Sequence, residues 1–159
     1  MDNLEMNLWR ENLELPFTGI RQAKSRVRQF EARYERLNDE ARILMDNFNQ
    51  HFKGKTSPVY LHRASNTSAK VMKWRLSAAK IYGFSDKAKS YALLTDEVLD
   101  LLRTTDISEE TIHFMVECDF KRINLNYAIS FVYAELKRLE SFVLEFEAWR
   151  KLPHKITKE

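Results

Sequence analysis

Apolar residues recur along this chain with two long helical rhythms. Ile20, Ala23, Val27, Phe30, Tyr34, Leu37, Ala41, Leu44 and Phe48 are spaced alternately three and four residues apart. That is a heptad seam, a period no strand produces. It predicts a helix over 20–52, opened after Pro16 and Gly19 and stopped by Gly54 and Pro58. The same alternation returns at Met115, Cys118, Arg122, Leu125, Ile129, Val132, Leu136, Leu139, Val143 and Phe146, predicting a helix over 108–151 that ends before Pro153. Asp106 and Ser108 are both candidate N-caps, and Glu109 completes a capping box with Asp106. A second apolar row, Val116, Phe120, Ile123, Tyr127 and Phe131, is expected to widen the buried face of this helix in its first half.

Between the long helices the period changes. In "SPVYLHRASNTSAKVMKWRLS", Val59 and Leu61 alternate with Tyr60 and His62. Met72, Trp74 and Leu76 alternate with Lys73 and Arg75. This reads as a β-hairpin over 58–77 closed around "ASNTSA"; the alternative is a helix from Ser68 to Tyr82. Further on, "KAKSYALLTDEVLDLLRTT" reads as an amphipathic helix over 86–103, capped by Ser85, with Ala88, Tyr91, Leu94, Val98, Leu101 and Leu102 inward. The expected fold is mainly α: an antiparallel pair of long helices with the shorter helix and a small hairpin insertion. In that register Phe52 lies near His113 and Ile20 near Glu145. Arg122, the cation in the second seam, needs a buried partner, and Asp39, Glu40 or Asp46 are the expected ones. We read 1–159 as a single helical domain with an N-terminal arm (1–16), a basic insertion (53–85) and a tail (153–159).

Composition agrees with helices, since 3 glycines and 3 prolines in 159 residues are too few for the turns of an all-β fold. The single cysteine, Cys118, excludes an intrachain disulfide framework and suits a reducing cytoplasm. The N-terminal stretch is acidic, and no apolar run reaches membrane-span length, so we expect a cytoplasmic protein without a membrane partner. Charge is unevenly placed. Between residues 53 and 89, nine lysines and arginines face one acid, Asp86, whereas residues 90–120 hold eight acids and one base, Arg103. Either the acidic stretch neutralises the basic one, or the two occupy different faces.

No P-loop, GxGxxG, HExxH, GxSxG or paired-cysteine signature occurs, so no enzyme activity and no cofactor is expected. His113 and Glu117 share a helical face, but Cys118 points elsewhere and too few ligands remain for a metal. The basic middle carries more. Arg63, Lys70, Lys73, Arg75 and Lys80 are candidate phosphate contacts, with His62 able to join across the hairpin and Tyr60 and Trp74 offering aromatic faces. Against this, Trp74 in a hairpin points inward with Met72 and Leu76, leaving Lys73 and Arg75 outward to bind phosphates without reading bases. Arg21, Lys24, Arg28, Arg36 and Arg42 on the first helix are interspersed with acids and read as a solvated face. Phe142, Leu144 and Trp149 lie off the main row and are candidates for an exposed interface.

"VYLHRASNTSAKVMKWRLS", ending in a hydrophobic-x-Trp-Arg element, and "FKRINLNYAISFVYAELKRLESF", with Arg-Ile-x-x-Asn before an aliphatic heptad, follow a long N-terminal helix in this chain. In that order they resemble a family of small proteobacterial proteins of unknown function carried by integrating conjugative elements and plasmids. The resemblance spans most of 17–150 and rests on Trp74, Arg75, Arg122 and Asn126. It implies a mobile-element setting and no catalytic residues. Two functions are therefore expected as alternatives: an accessory protein binding DNA or RNA phosphates through 53–89, or a structural or protein-interaction module, such as a homodimer.

Overall fold

Thr18 and Gly19 precede the first helical turn. Gly19 O accepts from Ala23 N, and Gln22 Oε1 accepts from Thr18 N at 2.9 Å, satisfying donors left over at the helix start. From there α1 runs Ile20–His51. It stops where Gly54 takes a left-handed φ of 78° that a β-carbon would disfavour. The computed structural model describes residues 15–63, 71–84, 90–91 and 94–152. After α1 come β1 (Val59–Arg63), β2 (Met72–Leu76), a 3₁₀ turn (Lys80–Tyr82), β3 (Ser90–Tyr91), α2 (Asp96–Arg103) and α3 (Glu109–Arg150). The molecule is mainly helical, with two long helices packed together and a small antiparallel hairpin. The stretches 1–14 and 153–159, which hold most of the arm and the whole tail, lie outside the described residues.

The fold divides into two compact units. One comprises residues up to Tyr34 with those from Val132 onward, and the other comprises Glu35–Phe131. In the first, Phe17, Ala23 and Leu139 form a buried cluster against which Val27, Phe30, Phe142 and Val143 pack. Lys24 pairs with Glu147, and the rings of Tyr34 and Tyr133 stand 5.6 Å apart, so the helices run antiparallel here. Phe142 is not free for an interface: its ring meets Phe17 at 4.8 Å. Trp149 is half-buried beside Phe146, and Leu144 is exposed.

In the second unit Phe48 and His51 stack on Phe114, at 6.1 and 4.1 Å, and His51 reaches Thr111. The direction is again antiparallel and close to the expected register. The hairpin forms as the period of two predicts: Val59 pairs with Leu76, Leu61 with Trp74 and Arg63 with Met72. Val59, Leu61, Met72, Trp74 and Leu76 are all buried. The rival helix over 68–82 is absent: Met72–Leu76 is strand, and only Lys80–Tyr82 makes a single 3₁₀ turn.

Two expectations fail. The shorter helix does not reach back to residue 86. It begins at Asp96, where Thr95 Oγ1 accepts from Val98 N, and Ser90–Tyr91 instead pair with Trp74 and Arg75 as a third strand. The free edge of β2 requires hydrogen-bond partners, and that requirement outweighs local helical propensity. The proposed cap Ser85 and inward Ala88 lie outside the described residues. The second failure concerns α3. Of its two candidate caps Ser108 is the one used, its Oγ accepting from Thr111 N at 3.2 Å. The row Val116, Phe120, Ile123, Tyr127 and Phe131 does not widen the buried face, because all five residues are exposed.

Candidate nucleic-acid interface and its anchor

The hairpin has two unlike faces, separated by the alternation of side chains along each strand. The inner face is tied to α3 by a polar network. Trp74 is fully buried, its ring centre 5.3 Å from that of Phe48 in an edge-to-face contact, and its indole Nε1 donates to Asp119 Oδ1 at 2.6 Å. Arg122 Nε donates to the same oxygen at 2.7 Å, and Nη1 reaches Met72 O at 3.3 Å. One turn on, Asn126 Oδ1 accepts from Met72 N and its Nδ2 donates to Met72 O, both at 2.8 Å. Asn126 thus supplies the reciprocal pair of bonds that a neighbouring strand residue would make. Arg122 is 3% exposed, and its Nη2 has no hydrogen-bond partner among the described residues.

Arg122 therefore pairs with Asp119, not with Asp39, Glu40 or Asp46 across the helix pair. Asp119 lies three residues back on the same helical face, and it is also the acceptor that the buried indole needs. Asp39 is engaged by Arg42 on its own helix. The signal for Asp119 was present as the spacing Asp119, Arg122, Asn126, all on one side of a helix. Trp74, Arg122 and Asn126 meet at this single place, while Arg75 lies on the other face of the hairpin.

The outer face is formed by the pairs Tyr60–Arg75 and His62–Lys73. Tyr60 and Lys73 are exposed, and Arg75 and His62 half-buried. Neither Lys73 nor Arg75 enters a salt bridge among the described residues. The acidic stretch does not neutralise them: Asp100 and Glu109 pair with Arg103, and Asp119 with Arg122. Lys80 is exposed on the 3₁₀ turn. Arg63 departs from the expected set, since its register opposite Met72 puts it on the inner face, where it donates to Asn38 of α1. Lys70 lies outside the described residues.

An open cleft of about 650 Å³ lies near the base of the hairpin, lined among others by Lys55, Thr56, Tyr82, Thr105, Asp106 and Ser108. Its hydroxyls serve structure: Tyr82 donates to Thr56 O, Thr105 to Leu102 O, and Ser108 caps α3. Among the described residues no three His, Cys, Asp or Glu side chains converge as a metal site, and no helix is long and apolar enough to cross a membrane. The Cys118 thiol is buried, and desolvation pushes its pKa up, so it stays protonated and a poor nucleophile. Comparison with protein families, curated proteins and solved structures yields no match.

Proposed function

We propose that the protein is a non-enzymatic accessory factor of a mobile genetic element that holds nucleic acid by its phosphates on the outer face of the hairpin. The carrying observation is that Lys73 and Arg75 share a solvent-facing surface with Tyr60 and His62 and have no carboxylate partner among the described residues. The buried Trp74 acts as the anchor of that surface and takes no part in stacking. Binding of this kind positions the backbone without reading sequence. The mobile-element setting is supported by the family resemblance alone.

Fluorescence anisotropy with labelled DNA and RNA at increasing salt tests the reading. Affinity should fall steeply with salt, and Lys73→Glu with Arg75→Glu should remove it while helical content stays unchanged. If two phosphate contacts are lost, the slope of log affinity against log salt drops by about 2. Absence of binding at low salt refutes the proposal.

A second reading, a protein-interaction module, is favoured by a different observation: the exposed apolar row on α3.

A further inference from the structure

Five large apolar side chains stand in solvent along one line of α3. Phe120 is 70% and Tyr127 75% exposed, with Val116, Ile123 and Phe131 near half. At 100° per residue they fall within a strip roughly 80° wide and about 22 Å long. Ile43 of α1, also exposed, lines a groove with Phe120, Asn124 and Ala128 that broadens this surface.

We propose that this row is the seam through which a second copy of the chain docks, antiparallel, about a two-fold axis between residues 123 and 124. The proposal rests on the protein-interaction reading and names its partner. The spacing carries it. Inverting the row about that axis lays Val116 on Phe131 and Phe120 on Tyr127, with Ile123 meeting its own counterpart across the axis. Every apolar member then covers another, as an isologous contact between two identical surfaces requires.

The area agrees. Three aromatic rings at these exposures, with Val116, Ile123 and Ile43, leave roughly 600 Å² of apolar surface, at the upper end of what monomers expose. A standard interface covers about 800 Å² per partner including its polar rim, so this patch is of the size that a stable dimer's centre needs. Glu117 and Lys121, both exposed beside the row, carry opposite charges.

Sedimentation velocity and light scattering on the full chain across a concentration series provide the first test. The mass should double with concentration. Phe120→Glu with Tyr127→Glu should leave a monomer with unchanged helical circular dichroism. Spin labels distinguish the geometry in a Cys118→Ala background. In the antiparallel pair, labels at Val116→Cys sit about 22 Å apart along the axis, while labels at Ile123→Cys face each other across about 10 Å. Short distances at both positions would mean a parallel pair and overturn the two-fold arrangement. A monomer at all concentrations overturns self-association. Maleimide labelling of Val116→Cys then separates the cases: rapid reaction leaves an open face for a different protein, whereas slow reaction means the chain covers it and the interaction reading fails as well.

Discussion

The two halves of α3 use opposite conventions. From Val132 onward the buried positions are apolar, Val132, Leu136 and Leu139, and the outward ones are charged at Lys137 and Arg138, with Leu144 the exposed exception. In the first half the inward side carries Asp119, Arg122 and Asn126 among its apolar residues, while Phe120, Ile123 and Tyr127 face solvent. The contrast follows from what each half packs against. The second half meets another amphipathic helix, α1, whose side chains need only apolar contact. The first half meets a β-strand whose backbone at Met72 still has an N–H and a carbonyl to satisfy. Bringing such an edge into a core requires polar side chains there, because an unmade buried backbone bond costs about 1–3 kcal/mol. Outward apolar residues have no comparable necessity within the fold, and that is the ground of the proposed dimer.

The largest predicted effect tests the inward side. Arg122→Ala leaves Asp119, whose side chain is 13% exposed, without its cation and should destabilise the protein by about 3–5 kcal/mol in urea unfolding. A loss below 1 kcal/mol would mean that Asp119 is solvated, and the contrast between the halves would dissolve. Asn126→Ala should cost about 1–3 kcal/mol, since it strands the Met72 N–H and leaves the Met72 carbonyl only its longer bond from Arg122. Asn126→Ser, which restores at most part of the pair, should fall between. By comparison Phe120→Ser on the outward side should change the stability of the monomer by no more than about 0.5 kcal/mol, measured at a concentration too low for association.

The smallest effect lies in the other unit. Lys24 holds the Glu147 carboxyl below its usual pKa, mainly through a side-chain hydrogen bond and then through its charge. A depressed carboxylate stabilises the fold above its unfolded pKa and loses that contribution as pH falls through its folded value. Melting temperatures of the wild type and Glu147→Gln should therefore differ slightly near pH 7 and converge below about pH 4. A gap that widens in acid would contradict the pairing.

Much of the architecture was legible in advance because it depends on local periodicity. Ala23, Ala41, Leu44 and Phe48 of one seam are buried, as are Met115, Cys118, Arg122 and Ile129 of the other. The alternation through "VMKWRL" places Trp74 inside and Lys73 outside. Charge on the outward strand positions was likewise visible, which is why Lys73 and Arg75 keep their place in the candidate interface. Arg63 did not, because the same alternation puts it two residues beyond Leu61, on the inner face with Val59 and Leu61.

What the sequence by itself determined is the set of elements whose period is intrinsic: two long amphipathic helices running antiparallel and a hairpin with one apolar and one cationic face. Only the tertiary structure decided which polar groups share the interior. Ser90 and Tyr91 became strand because β2 presented an edge, and Arg122 took Asp119 because a buried indole and a strand carbonyl converged on the same turn of α3. The row from Val116 to Phe131 has the rhythm of a core face, and periodicity cannot say on which side of a helix the rest of the chain will lie. That depends on where the hairpin docks, which is fixed by hydrogen bonds between residues about fifty positions apart.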